Sequence, residues 1–164
     1  MAVEFQDFSF DVKAALNDAT IEWLYETAHE TTSQAQRNCS TDETYSSQLR
    51  DSYRNEVDEG SGQAQIGSSL EAAYWEEWGT GEYAAHGDGR KGWWIYIEGQ
   101  ASMGGGRTYR SKESAERMAA YIRRKYNKDA VVTNGREPNY TLENAFTVTK
   151  PKAIANLETK LKGL

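Results

Sequence analysis

The sequence contains very little cysteine and histidine, and each scarcity argues against a class of site. Cys39 is the only cysteine among 164 residues, so no disulfide can form within the chain and no cysteine-based metal site can be built. His29 and His86 are the only histidines, and they form neither a His-x-His nor a His-Glu-x-x-His pattern, so a metal site has little support. The single cysteine is typical of a protein assembled in a reducing compartment.

Long hydrophobic runs are also missing. No apolar stretch approaches the roughly 20 residues of a membrane span, and the opening MAVEFQDFSFDVK lacks the basic and then apolar regions of a signal peptide. We therefore expect a soluble, cytoplasmic protein with no membrane partner. Hydrophobic residues make up 38% of the chain, and the 12% of aromatic residues partly compensates, because each ring can bury about 150–250 Å². The length indicates one domain, 1–164.

The chain contains more acidic than basic residues. A formal net charge of -6 and a pI of about 5.0 disfavour nucleic-acid binding by the whole surface, because the protein and a phosphate backbone repel each other. The net charge does not exclude a local basic patch, and residues 112–128 form such a patch in the sequence.

Hydrophobic periodicity predicts three helices. The first runs from about Asp11 to about Asn38, and the second follows Ser111, a good N-cap, to about Lys128. The third begins near Thr141, and Pro151 predicts either a kink or two helices that meet at Lys150. The segment CSTDETYSSQLRDSY reads as a loop.

Alternation predicts the strands. A hairpin is expected over residues 53–58 and 63–68, with its turn at 59–62. Gly92–Gly99 is the clearest strand, because it is aromatic, β-branched and bounded by glycine, and DAVVTNG predicts another. The fold class is therefore α+β: a small, mostly antiparallel sheet packed by an N-terminal helix, an inserted basic helix at about 111–128 and a long C-terminal helix.

One stretch differs from the rest in composition. Residues 72–106 hold every tryptophan except Trp23 and 9 of the 14 glycines. We expect Tyr74–Trp78 to be an anchored strand, Gly79–Lys91 to be a mobile loop that reaches another subunit, and Trp93 and Trp94 to divide between core and interface. Aromatic residues grouped in this way usually mark an interface.

The search for catalytic chemistry finds little. Glu76 and Glu77 with nearby tryptophans have the composition of a glycosidase cleft, but adjacent strand residues would point to opposite faces. Gly104–Arg107 lacks the Gly-Lys-Ser/Thr ending of a P-loop, and no Gly-x-Ser-x-Gly elbow occurs. We predict a non-enzymatic protein with no catalytic residue, no metal and no cofactor.

Two motifs resemble those of a known family. Ala73–Gly81 is similar to the Tyr-Ala-x-x-x-Glu-Phe-Gly-Thr-Gly signature of the tail-completion family of siphophages, whose members are also called neck, head–tail joining or minor tail components. Thr133–Ala145 resembles the family's Thr-x-Gly-x-x-Pro-x-Pro-Phe-Leu-x-x-Ala and loses its second proline and its phenylalanine. A third motif, upstream, survives only as Leu49 and Ser52. The resemblance covers about residues 45–163 in order.

The resemblance implies a structural protein of the virion. It implies a homo-oligomeric ring, a hexamer, at the tail top or neck, which joins tail to capsid and is assembled in the host cytoplasm. The implied partners are other copies of the chain and neighbouring tail-terminator, tail-tube or head-closure and connector proteins, with genomic DNA only passing through the channel. The candidate interface residues are Tyr74, Glu77, Trp78, Gly79, Thr80, Gly81, Trp93, Trp94, Gly135, Pro138 and Leu142.

Three alternatives stay open. A tail terminator or head-closure protein of the same joint shares the size and the ring assembly. A carbohydrate-binding module or glycosidase would use the tryptophans as sugar platforms. A small regulator would bind DNA through the basic helix.

Overall fold

The structure, a computed structural model, describes residues 9–39, 46–97 and 107–163, with side chains described for 14–39, 47–97 and 107–163. In chain order the elements are α1 Ser9–Asn38, α2 Ser46–Ser52, β1 Tyr53–Asp58, β2 Gln63–Ser68, α3 Glu71–Trp78, β3 Thr80–Gly81, β4 Trp94–Ile97, α4 Lys112–Tyr126, β5 Ala130–Thr133, β6 Gly135–Arg136 and α5 Thr141–Lys162.

The chain groups into two compact units. The helical unit comprises Met1–Ala73 and Tyr140–Leu164, and the glycine-rich unit comprises Tyr74–Asn139. The expectation of a single domain stays a prediction, and each unit is described by itself.

In the helical unit, the two long helices α1 and α5 pack against each other in antiparallel fashion. The indole Nε1 of Trp23 donates to the carbonyl of Ala153 at 2.7 Å, and the amide of Asn38 donates to the carbonyl of Thr141 at 3.1 Å. The earlier of these two α1 residues thus contacts the later residue of α5, and the residue at the end of α1 contacts the start of α5, so the two helices are antiparallel.

Small side chains form most of the core of the helical unit. The buried residues of the two helices include alanine and threonine at helical spacing, namely Ala28, Thr31, Thr32, Ala35, Thr141, Ala145, Thr149 and Ala153. Such residues let helix backbones approach closely, so burial comes from proximity rather than from large apolar side chains. The hydroxyls of Thr31 and Thr149 hydrogen-bond at 2.9 Å across the contact, which satisfies two buried polar groups.

The predicted hairpin is confirmed and packs on α1. β1 and β2 pair antiparallel, from Tyr53 opposite Ser68 to Asp58 opposite Gln63. Tyr53 is 1% exposed, and the amide of Asn55 donates to the hydroxyl of Thr32 at 2.9 Å. The side chains that point to α1 alternate along β1, as a strand with one covered face requires.

One prediction for the helical unit is wrong, and one of the two alternatives for Pro151 is excluded. The expected loop around SSQLRDS contains the short helix α2, whose Leu49 is buried in the core; residues 40–45 of the same prediction lie outside the described residues. α5 continues through Pro151 as one element, so two helices do not meet at Lys150. Pro151 is exposed, so water can reach the carbonyl that its missing N–H leaves without a helical partner.

The predicted basic helix is confirmed as α4 of the glycine-rich unit. The hydroxyl of Ser111 accepts from the backbone N–H of Ser114 at 3.3 Å, so Ser111 is the N-cap. The helix ends two residues earlier than predicted, because Asn127 adopts the left-handed conformation with φ 49°. Ala115 and Ala119 are buried on the inner face.

The strands of the glycine-rich unit are short. β4 pairs antiparallel with β5, and β3 pairs antiparallel with β6. The fold is therefore α+β, as predicted, but in the part of the chain that is described the strands form three two-stranded pairs rather than one small sheet. The end of the predicted strand Gly92–Gly99 and most of SMGGGRTYR lie outside that part. No helix among the described residues is long and apolar enough to cross a bilayer.

Candidate functional site

The segment predicted as the strand Tyr74–Trp78 is part of the helix α3. Ala73, Glu76 and Glu77 are buried, and their spacing of three and four residues is that of one face of a helix. Gly79, with φ 72°, donates its N–H to the carbonyl of Trp75 at 2.9 Å, which is the usual left-handed glycine end of a helix. The strand prediction is wrong because it rests on the aromatic content of the segment, whereas the spacing of its buried residues is that of a helix.

The carboxylate of Glu76 is held by two polar side chains of the glycine-rich unit. Its carboxylate accepts from the amide of Asn139 at 2.9 Å and forms an ion pair with the guanidinium of Arg136 at 3.2 Å. Its backbone carbonyl accepts from the N–H of Asn139 at 2.8 Å. The side chain is 1% exposed and that of Arg136 is 49% exposed, so the pair anchors residues 136–139 to α3 while the cation stays in water.

Glu77 lies on the same buried face of α3 and is 6% exposed. The expected arrangement, with Glu76 and Glu77 on opposite faces of a strand, is wrong because a helix replaces the strand. The carboxylate of Glu77 is therefore part of the interior rather than of an open surface, and its role in assembly stays a prediction.

Two sequence-predicted segments meet directly at β3 and β6. Thr80 pairs with Arg136, and Gly81 pairs with Gly135. The hydroxyl of Thr80 also accepts from the backbone N–H of Arg136 at 3.0 Å. The structure thus brings together Thr80, Gly81 and Gly135, which the sequence placed in two separate motifs.

The close approach of these segments depends on glycine. A Cβ on Gly79 would lie 2.7 Å from the carbonyl oxygen of Arg136 and 2.8 Å from the nitrogen of Pro138. Gly81, with φ 62°, would meet the carbonyl oxygen of Asn134 and the ring of Trp94. Both positions combine a left-handed backbone with contact on the missing side chain, so another residue would be strained.

The segment Gly79–Lys91 is held at several points. Glu82 accepts from the N–H of Gly92 at 3.2 Å and from the amide of Asn134 at 3.1 Å. The N–H of Ala85 donates to the carbonyl of Trp78 at 2.8 Å. The segment therefore begins with the two-residue strand β3, which the sequence did not predict, and continues in hydrogen-bonded turns. Its mobility and its contact with another subunit stay predictions.

His86, the histidine of this segment, packs on Trp78. The two ring centroids are 4.6 Å apart with a tilt of 47°. His86 is exposed and Trp78 is half-buried. The histidine therefore covers an indole, a packing role that needs no ligand or catalytic partner.

Trp93 and Trp94 are both half-buried, so within this chain they are not divided into one buried and one exposed ring. A place for either at an interface stays a prediction. The ammonium of Lys112 lies 5.6 Å from the ring of Trp93, and the guanidinium of Arg90 lies 5.2 Å from the ring of Trp94. Trp93 also exchanges two backbone hydrogen bonds with Tyr109, at 3.0 and 2.7 Å. A cation that lies over an aromatic face is attracted to the ring, so each pair helps to hold its own two side chains in place.

Three aromatic side chains of the unit are open to solvent. Tyr74, Trp75 and Tyr83 are 46%, 44% and 43% exposed. The rings of Tyr74 and Trp75 form an edge-to-face pair with centroids 5.1 Å apart. Trp75 was not among the predicted site residues, although it directly follows Tyr74 in the motif.

Two further predicted site residues, Pro138 and Leu142, pack against other residues of their own units. Pro138 is half-buried beside Gly79. Leu142 belongs to the helical unit and packs partly buried against its core. Sequence analysis missed Arg136, Asn139 and Glu82, whose polar side chains hold the motifs in place. The signal for Arg136 and Asn139 was their position inside the second motif, beside its glycine and proline.

No group of three or more metal-binding side chains occurs among the described residues. No family model matches the chain, and neither a curated protein nor a solved structure does. The geometry of the motifs is therefore the basis for a functional proposal.

Proposed function

We propose that this chain is a structural, non-enzymatic protein of a tailed-bacteriophage virion. It forms a homo-oligomeric ring, a hexamer, at the joint between head and tail, where it completes the tail and helps to attach it to the capsid. The ring lies at the tail top or neck and is assembled in the host cytoplasm. Its neighbours are the tail-terminator, tail-tube or head-closure and connector proteins, and genomic DNA passes only through the channel.

The observation that carries the proposal is the contact between the two motifs that resemble the family. Residues 73–81 and 133–145 lie more than fifty residues apart in sequence. Gly79 lies against Pro138, and Gly81 pairs with Gly135. Two chance resemblances would have no reason to be neighbours, whereas two parts of one structural element would be.

The exposed aromatic side chains give a second line of support. Tyr74, Trp75 and Tyr83 leave two-fifths or more of their surface in water, and tyrosine and tryptophan are enriched at protein interfaces. A ring needs such surfaces, because each subunit must contact both a preceding and a following copy through unlike patches.

The proposal is tested in the phage that encodes the chain. A double variant, Tyr74→Ala with Trp75→Ala, should yield separate heads and tails in electron micrographs and a loss of infectivity. The matched control is Phe146→Ala, which removes an aromatic side chain that is 57% exposed on α5 and should leave particles intact. Purified variants should keep the wild-type circular dichroism spectrum, so that a defect in joining is separated from a defect in folding.

The other outcomes assign the alternatives. Joined, infectious particles from a phage that lacks the whole chain would overturn the proposal. Tails of irregular length would indicate a tail terminator, and filled heads that lose their DNA would indicate a head-closure protein. Specific binding on a glycan array, lost in the Trp75→Ala variant, would support the carbohydrate-binding alternative instead.

A further inference from the structure

Charge is distributed unevenly between the two units. The helical unit contains 16 acidic and 8 basic residues, and the glycine-rich unit contains 9 acidic and 11 basic residues. Their formal charges are therefore -8 and +2, which together give the -6 of the chain. A single chain thus presents two surfaces of opposite sign.

The positive surface is concentrated on α4. Residues 107–128 contain eight basic and two acidic residues. We call the six exposed cations of residues 112–128 the basic helix surface: Lys112, Arg117, Arg123, Arg124, Lys125 and Lys128.

Part of the basic helix surface points away from the packed side of α4, whereas Lys112 lies over the ring of Trp93 and Arg123 pairs with Glu116 at 3.1 Å. Arg117 and Arg124 are seven residues apart and so lie on one face, while Ala115 and Ala119 are buried on the other. Lys125 donates to the hydroxyl of Tyr121 at 2.7 Å, and that hydrogen bond raises the pKa of the lysine. Arginine and tyrosine together are the side chains that dominate binding at interfaces.

The negative surface is formed by α1 and the hairpin of the helical unit. We call its exposed carboxylates the acidic surface: Asp18, Glu22, Glu26, Glu56 and Glu59. The hydroxyl of Tyr25 donates to the carboxylate of Glu59 at 2.9 Å, which joins the helix to the hairpin turn.

Part of the acidic surface is neutralised within the chain. Lys160 forms ion pairs with Glu22 at 2.9 Å and with Glu26 at 3.2 Å. Within the described residues, Asp18, Glu56 and Glu59 have no lysine or arginine at ion-pair distance. These three carboxylates therefore remain available to a cationic partner.

We infer that the basic helix surface of one copy binds the acidic surface of the next copy, a contact that rests on the ring proposed above. The partner is a second copy of this chain, because the same molecule carries both complementary surfaces. Two unlike patches on one chain make a heterologous contact, and such contacts repeat around a closed ring. Opposite potentials also set the register and speed the encounter.

Nucleic acid is the competing partner for α4, and the charges favour the protein partner. DNA that approaches α4 also meets the field of a chain whose net charge is -6, and long-range repulsion lowers its association. A second copy has the same net charge, but unlike DNA it carries both signs: its acidic surface can meet the +6 of residues 107–128 while its own basic helix surface meets a further copy.

The test uses the full chain and two charge-reversed variants. One carries Arg117→Glu and Arg124→Glu, and the other carries Asp18→Lys and Glu59→Lys. The control carries Arg50→Glu and Lys150→Glu, two exposed residues outside both surfaces, and has the same change in net charge as the first variant. Mass photometry measures the oligomers at about 0.1 M and about 1 M salt, over which the Debye length falls from about 10 Å to about 3 Å.

We expect the wild type and the control to form oligomers at low salt and to dissociate at high salt. Each charge-reversed variant alone should associate at least about tenfold more weakly, since like charges then face each other. Mixed in equal amounts, the two variants offer one native contact and one fully reversed contact, and assembly should return. Recovery on mixing cannot arise from a variant that fails to fold.

Any of three results would overturn the inference. The wild type could be monomeric at low salt, the charge-reversed variants could assemble as well as the control, or the mixed variants could fail to assemble. Binding of duplex DNA that is lost on reversal of Arg117 and Arg124, without any self-association, would assign α4 to nucleic acid. Rings that persist in both variants, with normal joining of heads to tails, would reject this contact and leave the proposed function standing.

Discussion

In the helical unit, two helices of 30 and 22 residues bring alanine and threonine side chains together, whereas in the glycine-rich unit strands of two to four residues meet at glycines. The first arrangement distributes its contacts over many turns, so one altered side chain removes a small fraction of them. The second concentrates them at a few backbone positions. The comparison indicates that a short chain segment can be fixed by conformation and polar contacts where it has too few apolar side chains to form a core.

The largest expected effect is that of Gly81→Ala in the glycine-rich unit. The substitution forces a left-handed residue to carry a Cβ, which costs about 1–2 kcal/mol, and drives that Cβ into Asn134 and Trp94, which costs about 1–3 kcal/mol more. We expect the free energy of unfolding in urea, followed by tryptophan fluorescence, to fall by about 3 kcal/mol or more. Gly62→Ala in the hairpin is the control: its φ of 64° is similar, but no atom lies within 4 Å of the new Cβ. Equal losses from both would show that packing around Gly81 contributes nothing.

Glu76→Ala should have the next largest effect. The carboxylate is buried and accepts from Asn139 and Arg136, so its removal leaves the amide of Asn139 without that acceptor. Arg136 is half-exposed and can be rehydrated, which limits the expected loss to about 2–3 kcal/mol. Glu116→Ala breaks an ion pair whose two side chains are each 47% exposed and should cost about 1 kcal/mol or less. Thermal unfolding of the two variants compares them, and the same decrease in Tm would contradict a structural role for Glu76.

Thr149→Val examines the helical unit. Thr149 and Thr31 are 2% and 3% exposed and share a hydrogen bond of 2.9 Å, so valine leaves one buried hydroxyl without this partner. We expect a loss of about 1–2 kcal/mol. Changing both residues to valine should restore part of it, because two apolar groups of similar shape leave neither hydroxyl unsatisfied. Urea unfolding of the two single variants and the double variant gives the coupling, and strict additivity would mean that the two hydroxyls do not interact.

The smallest effect concerns the hairpin turn of the helical unit. The hydroxyl and backbone N–H of Ser61 and the backbone N–H of Gly60 lower the pKa of Asp58 from its ordinary 3.8. A lowered folded-state pKa contributes stability above the unfolded value, and that stability is lost as the pH falls through the folded value. Asp58→Asn should therefore flatten the dependence of Tm on pH below about 3.8. Identical pH profiles for variant and wild type would show that the turn does not depend on the charge.

Local sequence signals predicted the elements whose structure is decided locally. Ser111 caps α4 because its own hydroxyl reaches the N–H three residues later. The hairpin has the predicted strands because side chains alternate along them and Gly60 and Gly62 lie in its turn. In both cases the residues that determine the structure lie within a few positions of each other.

The candidate site was only partly predictable, because the residues that determine its structure lie far apart in the sequence. The aromatic content of Tyr74–Trp78 is typical of a strand, and the buried face of the helix that forms instead carries two carboxylates, Glu76 and Glu77, rather than apolar side chains. Burial of a carboxylate requires partners, and for Glu76 they are Arg136 and Asn139, about sixty residues further along the chain.

The sequence by itself determined the α+β class, the acidic character of the chain and the positions of α1, α4 and the hairpin, since these follow from composition, capping and periodicity. Only the tertiary structure decided that Gly79 and Gly81 meet Pro138 and Gly135, and that Trp93 and Trp94 lie beside cations. Such contacts join residues far apart in sequence, and their free energy depends on distances that no local pattern contains.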